Sequence, residues 1–543
     1  MNGHRHRIRK ICGADIELGN FIVGSEQGGR GADAASALLA ALHDQAGAVS
    51  DWRSAATDAD GGPRNRRDWR RSHFPTNGAC AYIDLEHLEL CLPELGSAWD
   101  HVAAWHGMLR QVQRALATVN AARAPEDRIR VTVNNGDGLG NSWGSHLDFL
   151  VTREVFNDIV HRRPHYLGWL AAFQISALVY TGQGRVGSHL DPTIGYQIGQ
   201  RADFLETMIA PQTTFRRPVV NTRDEALSGR SALGPDGVPL ARLHVICFDS
   251  ALAQVSCLLR VGPMQLALAM LEAGAINPER CLDDPLGAVR RWSHDPTLAA
   301  QATTIGGTSL SAVDLQRRFF EDATRFVEAG GAEGQVPHAD RILAIWGETL
   351  DLLARRDWPA LASRLDWVLK LTLLERTRQR AGLDDWSAPV LKHLDHLYGE
   401  LDPETGLFWA IAERGGLDRV VTEREIERLT TEPPPDTRAY GRAMLLRHVP
   451  ADTIDSVDWD TLRFHLRRRH RVERWKLDLG SPLDLTRDAL SGRLTGPIDG
   501  DRLEALLLSL GGEPDPWRVS SAGAIAVRVT TGDDPYAGYT ATT

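Results

Sequence analysis

Apolar and polar residues alternate from near the start of the chain. In "CGADIELGNFIV", residues 12–23, Cys12, Ala14, Ile16 and Leu18 share one face of a predicted strand, and Gly13, Asp15, Glu17 and Gly19 share the other. Acids are poor strand formers, and two on one face repel unless a cation or basic partner lies between them. "NGACAYIDLEHLEL" predicts a second strand, with Cys80, Tyr82 and Asp84 on one face and Ala79, Ala81 and Ile83 behind them. The period then changes. Val102, Trp105, Leu109, Val112, Leu116 and Val119 recur at steps of three and four residues, which predicts an amphipathic helix.

"RIRVTVNN" and "RLHVICFDS" predict a third and a fourth strand, and "GPMQLALAMLEAG" predicts a helix that ends at Gly274 as its C-cap. "GADAASALLAALHDQAGAV" has helix-forming composition. Residues 49–76 are polar, rich in Gly, Asp and Arg, and read as a mobile loop. Their run "RNRRDWRR" is either a solvated surface or a landing site for an acidic partner. From about residue 310 the pattern is helical; "TEPPPDT" is a stiff connection, "VDWDTLRFHL" reads as a strand, and the tail after about residue 530 reads as disordered. The sum is an α+β fold: an antiparallel sheet with helices on one side, plus a terminal module.

A length of 543 residues fits two to four domains, or one large elaborated domain with an appendage. The net charge of −10 speaks against nonspecific binding to nucleic acid or to an anionic membrane. The apolar stretch "YLGWLAAFQISALVYTG", residues 166–182, holds Gln174 and Ser176 and is short for a bilayer span, so it predicts a buried helix running into a strand or turn. The basic N-terminus has no apolar region behind it and is not a secretory signal. Its His4 and His6 read as a solvated tail. The six cysteines form no CxxC pair and read as reduced, buried thiols of a cytoplasmic protein.

Several strands deliver an acid or a histidine near a turn. Asp15 and Glu17 come from the first, Asp84, His87 and Glu89 from the second, and "NNGDGLGNSWGSH" leads from the third to His146; His244 lies on the fourth. Carboxylates with one or two imidazoles can hold a divalent metal, and a metal resolves the repulsion of paired acids. Arg201, Arg216, Arg217, Arg223 and Arg438 stand in short motifs where a guanidinium fork fits phosphate oxygens or forms an ordinary ion pair. "YTGQGRVG" could let backbone approach a ligand, and the absence of a GxxxxGK[ST] run excludes a P-loop enzyme.

"GADIELG", "NGACAYIDLEHLELCLPE", "NNGDGLGNSWGSH", "YTGQGRVG", "QRADF", "RRPVVNTRDE", "RLHVICFDS" and "DWVLKLTLLE" occur in the order seen in the proteasome accessory factor A family. The chain resembles that family from about residue 10 to residue 490, with "PPPDTRAYGR" and "VDWDTLRF" similar to its C-terminal segments. The family comprises the ligase that attaches the small protein Pup and the enzyme that deamidates Pup and removes it. The resemblance implies a glutamine-synthetase-like fold, in which a curved antiparallel sheet cradles ATP and magnesium and a small C-terminal domain packs against it. It implies a catalytic domain over residues 1–445 with an insertion at 24–76, a small domain over 446–530, and a tail over 531–543.

The resemblance further implies Asp15, Glu17 and Glu89 as Mg2+ ligands, with Tyr82 and His146 beside them. It gives Arg201, Arg223, His244, Trp459 and Arg438 to ATP, and Asp84 to catalysis. The partner is a small acidic Pup-like modifier with its conjugates. The 24–76 insertion and the spacing Asp84-Leu-Glu-His87 lean toward the depupylase: an ATP- and Mg-dependent hydrolase of a side-chain amide or isopeptide bond. The alternatives are an isopeptide-forming ligase working through an acyl phosphate, and a nucleotide-binding pseudoenzyme. The chain departs from the family pattern at Asp15, where the family has Glu, at Leu18, Leu88 and Leu90, and at "HLDF", where the family has His-Glu-Asn. Asp15 keeps the charge and reaches about one methylene less.

Overall fold

The strand Cys12–Ile22 (β1) lies inside an eight-stranded sheet. The computed structural model describes residues 6–25, 31–50, 69–224, 232–468, 472–494, 498, 500–515, 518–519 and 526–527. The sheet's other strands are Val49–Ser50 (β2), Trp69–His73 (β3), Cys80–Asp84 (β4), His87–Leu95 (β5), Ile129–Thr132 (β6), Ser145–Thr152 (β7) and Leu240–Val245 (β8). Their order is β8-β7-β1-β5-β4-β3-β2, all antiparallel, and β6 also pairs with β1.

β1 forks. Its first half, Cys12 to Ile16, pairs with β7, and its second half, Gly19 to Ile22, pairs with β6 on the same side. Glu17 stands at the fork, and its amide donates to Gly144 O at 3.1 Å instead of to a strand. The loop between β6 and β7 is therefore delivered to Glu17 by sheet topology.

The apolar face of β1 is buried as the alternation predicts: Cys12, Ala14, Ile16 and Leu18 enter one core with the helices Gly31–Ala46 (α1) and Ala98–Ala121 (α2). Ser97 caps α2 by accepting from Asp100 N at 3.1 Å. The stretch 166–182 is buried within the helix Pro164–Ser176 (α3) and continues into a second short helix, Leu178–Thr181, not a strand. The helix Gln254–Ala273 (α4) is long and apolar enough to cross a membrane, yet it is buried inside the protein. Gly274 at φ +68° closes it, as the sequence predicts.

Two sequence expectations change. Residues 49–76 are not all loop: β3 pairs with β4 and β2 pairs with β3, and Ser72 and His73 are buried. A neighbouring strand supplies the backbone partners there, and pairing overrides an Arg-rich composition. Residues 51–68 lie outside the described residues, as does the tail after 530. "VDWDTLRFHL" is two strands, Ile454–Val457 (β9) and Thr461–Arg467 (β10), because Asp458 N donates to Thr461 O at 2.8 Å and closes a turn between them. With Val472–Asp478 (β11) and Glu513–Pro514 (β12) they form a four-stranded sheet over a second apolar core that includes Leu445, Phe464, Trp475 and Leu507.

Candidate active site

The polar face of β1 looks into a cavity of about 1370 Å3. Register brings the acids together. Glu17 is paired with Glu89 on β5, Glu89 with Tyr82 on β4, and Asp15 with His146 on β7. Asp84 is two residues along β4 from Tyr82, on the same face, and pairs with His87 at the hairpin end. All of these side chains line the cavity.

Glu17 and Glu89 are buried and Asp15 is partly so. Among the described residues no arginine or lysine forms an ion pair with any of the three. The electrostatic cost is visible in the proton affinities. Burial, then the neighbouring Asp148, pushes the Asp15 carboxyl up to about 7, against the pull of His244 and Arg242. Burial, then Asp15, Glu17 and Asp84, pushes Glu89 well above the usual carboxylate range. Buried carboxyls raised by burial and by neighbouring acids are relieved by a cation.

Two histidines stand on the neighbouring strands beside these acids. His146 Nδ1 lies 3.1 Å from Asp15 Oδ2, and His244 Nδ1 lies 2.8 Å from Asp148 Oδ1. Burial, reinforced by Arg201, holds the His146 pKa down at about 3, and burial lowers His244 despite Asp148. Neutral rings that donate through Nδ1 keep a lone pair on Nε2, the arrangement found behind metal-binding imidazoles. His146 Nε2 and Asp15 Oδ1 are buried atoms without a hydrogen-bond partner among the described residues. Ligand atoms of Asp15, His146 and His244 lie within 4.8 Å of one another. A divalent cation fits this set, and the oxygens of Asp15, Glu17 and Glu89 are the hard ligands that Mg2+ prefers.

The glycine of "GSH" has a steric reason. A Cβ at Gly144 would meet His146 Nε2 at 2.5 Å and Glu17 Oε1 at 2.7 Å. Gly144 N also donates to Glu17 Oε1 at 2.8 Å, which fixes the carboxylate against the loop.

The arginines separate into two groups. Arg217, Arg223 and Arg242 line the cavity. Arg201 does not: it is 1% exposed, its Nε donates to Ile246 O at 3.0 Å, and it also binds Trp143 O, so it braces the loop from behind. Arg438 and Trp459 line the far end, where Arg438 Nε donates to Glu94 Oε1 at 2.6 Å. Arg442 donates to the other Glu94 oxygen at 2.7 Å and lies over the Trp459 ring at 4.8 Å.

Sequence reasoning missed Asp148 and Arg242. Arg242 Nη1 donates to Asp148 Oδ1 at 3.0 Å, and with His244 it outweighs burial and holds the Asp148 carboxyl well below its usual range. The signal was present: Arg242 and His244 in "ARLHV", and His146 and Asp148 in "SHLDF", are each two apart and so share a strand face.

A family model described as Pup-ligase protein matches residues 10–463. The chain is 36% identical over 395 residues to the Pup deamidase/depupylase of Mycolicibacterium smegmatis, covering 72% of this chain and 75% of that protein. It is 34% identical over 415 residues to the Pup–protein ligase of Micrococcus luteus, covering 73% and 84%. Its fold is similar to a solved Pup ligase PafA in complex with ADP, with TM-score 0.65 and 26% identity over 81% of this chain and 89% of that one. It is also similar to PafA in complex with Pup, with TM-score 0.72 and 24% identity over 92% and 93% of the two chains. An antiparallel sheet whose paired acids face a cavity, and a match that runs from the first strand into the second sheet, lead to one conclusion: the chain belongs to the Pup-ligase protein family.

Proposed function

We propose that the protein is an ATP- and Mg2+-dependent amide hydrolase of the depupylase type, acting on a side-chain amide or isopeptide bond at the C-terminus of a small acidic Pup-like modifier. The observation that carries the reading is the position of Asp84: a carboxylate at a hairpin end, on the cavity face, beside a set of acids that, among the described residues, form no ion pair with an arginine or lysine. Asp15, Glu17 and Glu89, with His146, would hold the metal, which when bound neutralises the acids and polarises ligand oxygens. Arg217, Arg223 and Arg242 would face phosphates. His244 would serve the metal–phosphate region, Arg201 would act by bracing the loop, and Trp459 with Arg438 would border the nucleotide at the far end. Asp84 would act on the amide carbonyl, as a nucleophile or as the group that draws a proton from water.

Hydrolysis is favoured over ligation by the hairpin. Asp84 and His87 are register partners with two residues between them, the spacing that the resemblance assigns to depupylases. A likeness to ligases of 34% identity favours the second reading, isopeptide synthesis. The test joins a Pup-like modifier, through the side chain of its last residue, to a fluorescent amine and supplies ATP with MgCl2. Release of the amine without matching ATP consumption supports the hydrolase. Attachment of modifier to lysine with one ATP consumed per bond establishes the ligase, and neither reaction leaves a nucleotide-binding protein.

A further inference from the structure

The hairpin that carries Asp84 is conformationally unusual. Its two central residues, Leu85 and Glu86, have φ of +50° and +103°. A two-residue turn of this hand requires positive φ at both positions, which is why Asn-Gly is the usual choice. Leucine and glutamate each bring a Cβ into this left-handed conformation and strain the backbone. A strained turn persists only when its surroundings over-determine it.

Asn20 supplies that constraint. It is 8% exposed and sits on β1 just past the fork. Its Oδ1 accepts from Leu88 N at 2.8 Å, and its Nδ2 donates to Glu86 O at 3.0 Å and to Gly31 O at 2.8 Å. One amide therefore holds both sides of the turn and the first residue of α1. His87, at the other end of the turn, is held as well: its Nδ1 donates to Leu18 O at 3.0 Å, and its ring lies 4.7 Å from the Trp143 ring.

We infer that Asn20 is a positioning residue: by clamping the strained Leu85–Glu86 turn it sets where the Asp84 carboxylate and His87 stand in the cavity. The inference rests on the reading of Asp84 as the reacting carboxylate. Misplacement of a reacting group by about an ångström costs on the order of 100-fold in rate.

The test uses the full chain with Asn20→Ala and with the double variant Asn20→Ala/Glu86→Gly, because glycine takes positive φ without strain. The expected result is a fall in kcat of about 100-fold for Asn20→Ala, with modifier KM and ATP affinity unchanged. The double variant should recover at least about tenfold of that loss, since the turn no longer needs the clamp. An unchanged kcat, a parallel loss of ATP affinity, or no recovery by Glu86→Gly would overturn the inference. Should the unmutated chain turn over no modifier, the reading of the reaction fails, and the clamp is judged by crystal structures of the same variants. Displacement of the Asp84 carboxylate in Asn20→Ala and its return in the double variant support the inference; an unmoved Asp84 overturns it.

Discussion

His146 and Asp15 are register partners across β1 and β7, and the imidazole Nδ1 lies 3.1 Å from the carboxylate. Each fixes the other's orientation. The buried ring of His146 is held neutral, and the Asp15 carboxyl, raised to about 7, keeps a proton through much of the acidic range beside Glu17 and Glu89.

Cation binding and pH are coupled in this site. The Asp15 carboxyl is raised from 3.8 to about 7, and Glu89 is raised well above 4.5. In the native state these two acids therefore hold protons that they lose in the unfolded chain, so without metal their share of the stability falls as pH rises from about 4 through about 7, opposed up to about 6.5 by the buried, neutral rings of His146 and His244. Mg2+ replaces those protons and should flatten the fall. Melting temperature measured across that range, with and without millimolar MgCl2, checks this. Equal slopes in the two series would show that the acids do not bind the ion.

Asp84→Asn keeps shape and removes the charge. Modifier cleavage should fall by at least ~10²–10⁴. Stabilisation by Mg–ATP should persist at about 2.7 kcal/mol for ligand at 100 times its dissociation constant. The two measurements belong on one preparation. A parallel loss of both would make Asp84 a metal ligand, and near-normal cleavage would remove it from the chemistry.

Gly144→Ala tests the crowding around Glu17 and His146. Gly144 is not at positive φ, so alanine suits the backbone, but its methyl needs the space those two side chains occupy. Affinity for Mg2+ or Mn2+ should drop by roughly 10–100-fold, as when the supports of a metal ligand are disturbed. Calorimetric titration of the folded variant reads this directly. Unchanged affinity would place the ion away from Glu17.

Glu94→Gln tests the junction between the two sheets. Burial alone would raise Glu94, but Arg442 and Arg438 outweigh it and hold the carboxyl at about 2. The group therefore stabilises the fold above its ordinary value of 4.5, and that contribution is lost as pH falls toward 2. Removing the charge strands two buried guanidiniums and should cost about 3–5 kcal/mol at neutral pH. The gap in denaturation midpoint between wild type and variant should close on acidification. A gap independent of pH would mean that lost packing, not charge, is responsible.

Much of this was legible where one strand or helix carries its own pattern. Period two placed Asp15 and Glu17 on one face of β1, and steps of three and four residues placed α2. The acids could be read because they break strand propensity, and a broken local rule marks a site. What escaped depends on pairing between distant segments. β3 was hidden by its arginines until β4 supplied partners. The Leu85–Glu86 turn lacks the Asn-Gly signal, and Asn20, which compensates for that lack, is 66 residues away from Glu86. The resemblance assigns Arg201 to ATP; that its guanidinium donates to the carbonyls of Ile246 and Trp143 is a contact between distant segments that no local motif carries.

The fork in β1 has a kinetic consequence. On that side the Glu17 amide is protected from solvent by a loop carbonyl, Gly144 O, between two strands that hold their own amides by sheet pairing. Proton exchange at Glu17 should therefore follow the breathing of the loop, while Ile16 below it and Gly19 above it exchange only when the sheet itself opens. A single backbone position thus reports on the hold of the loop, and its exchange should slow when the Glu17 carboxylate is gripped from the cavity side.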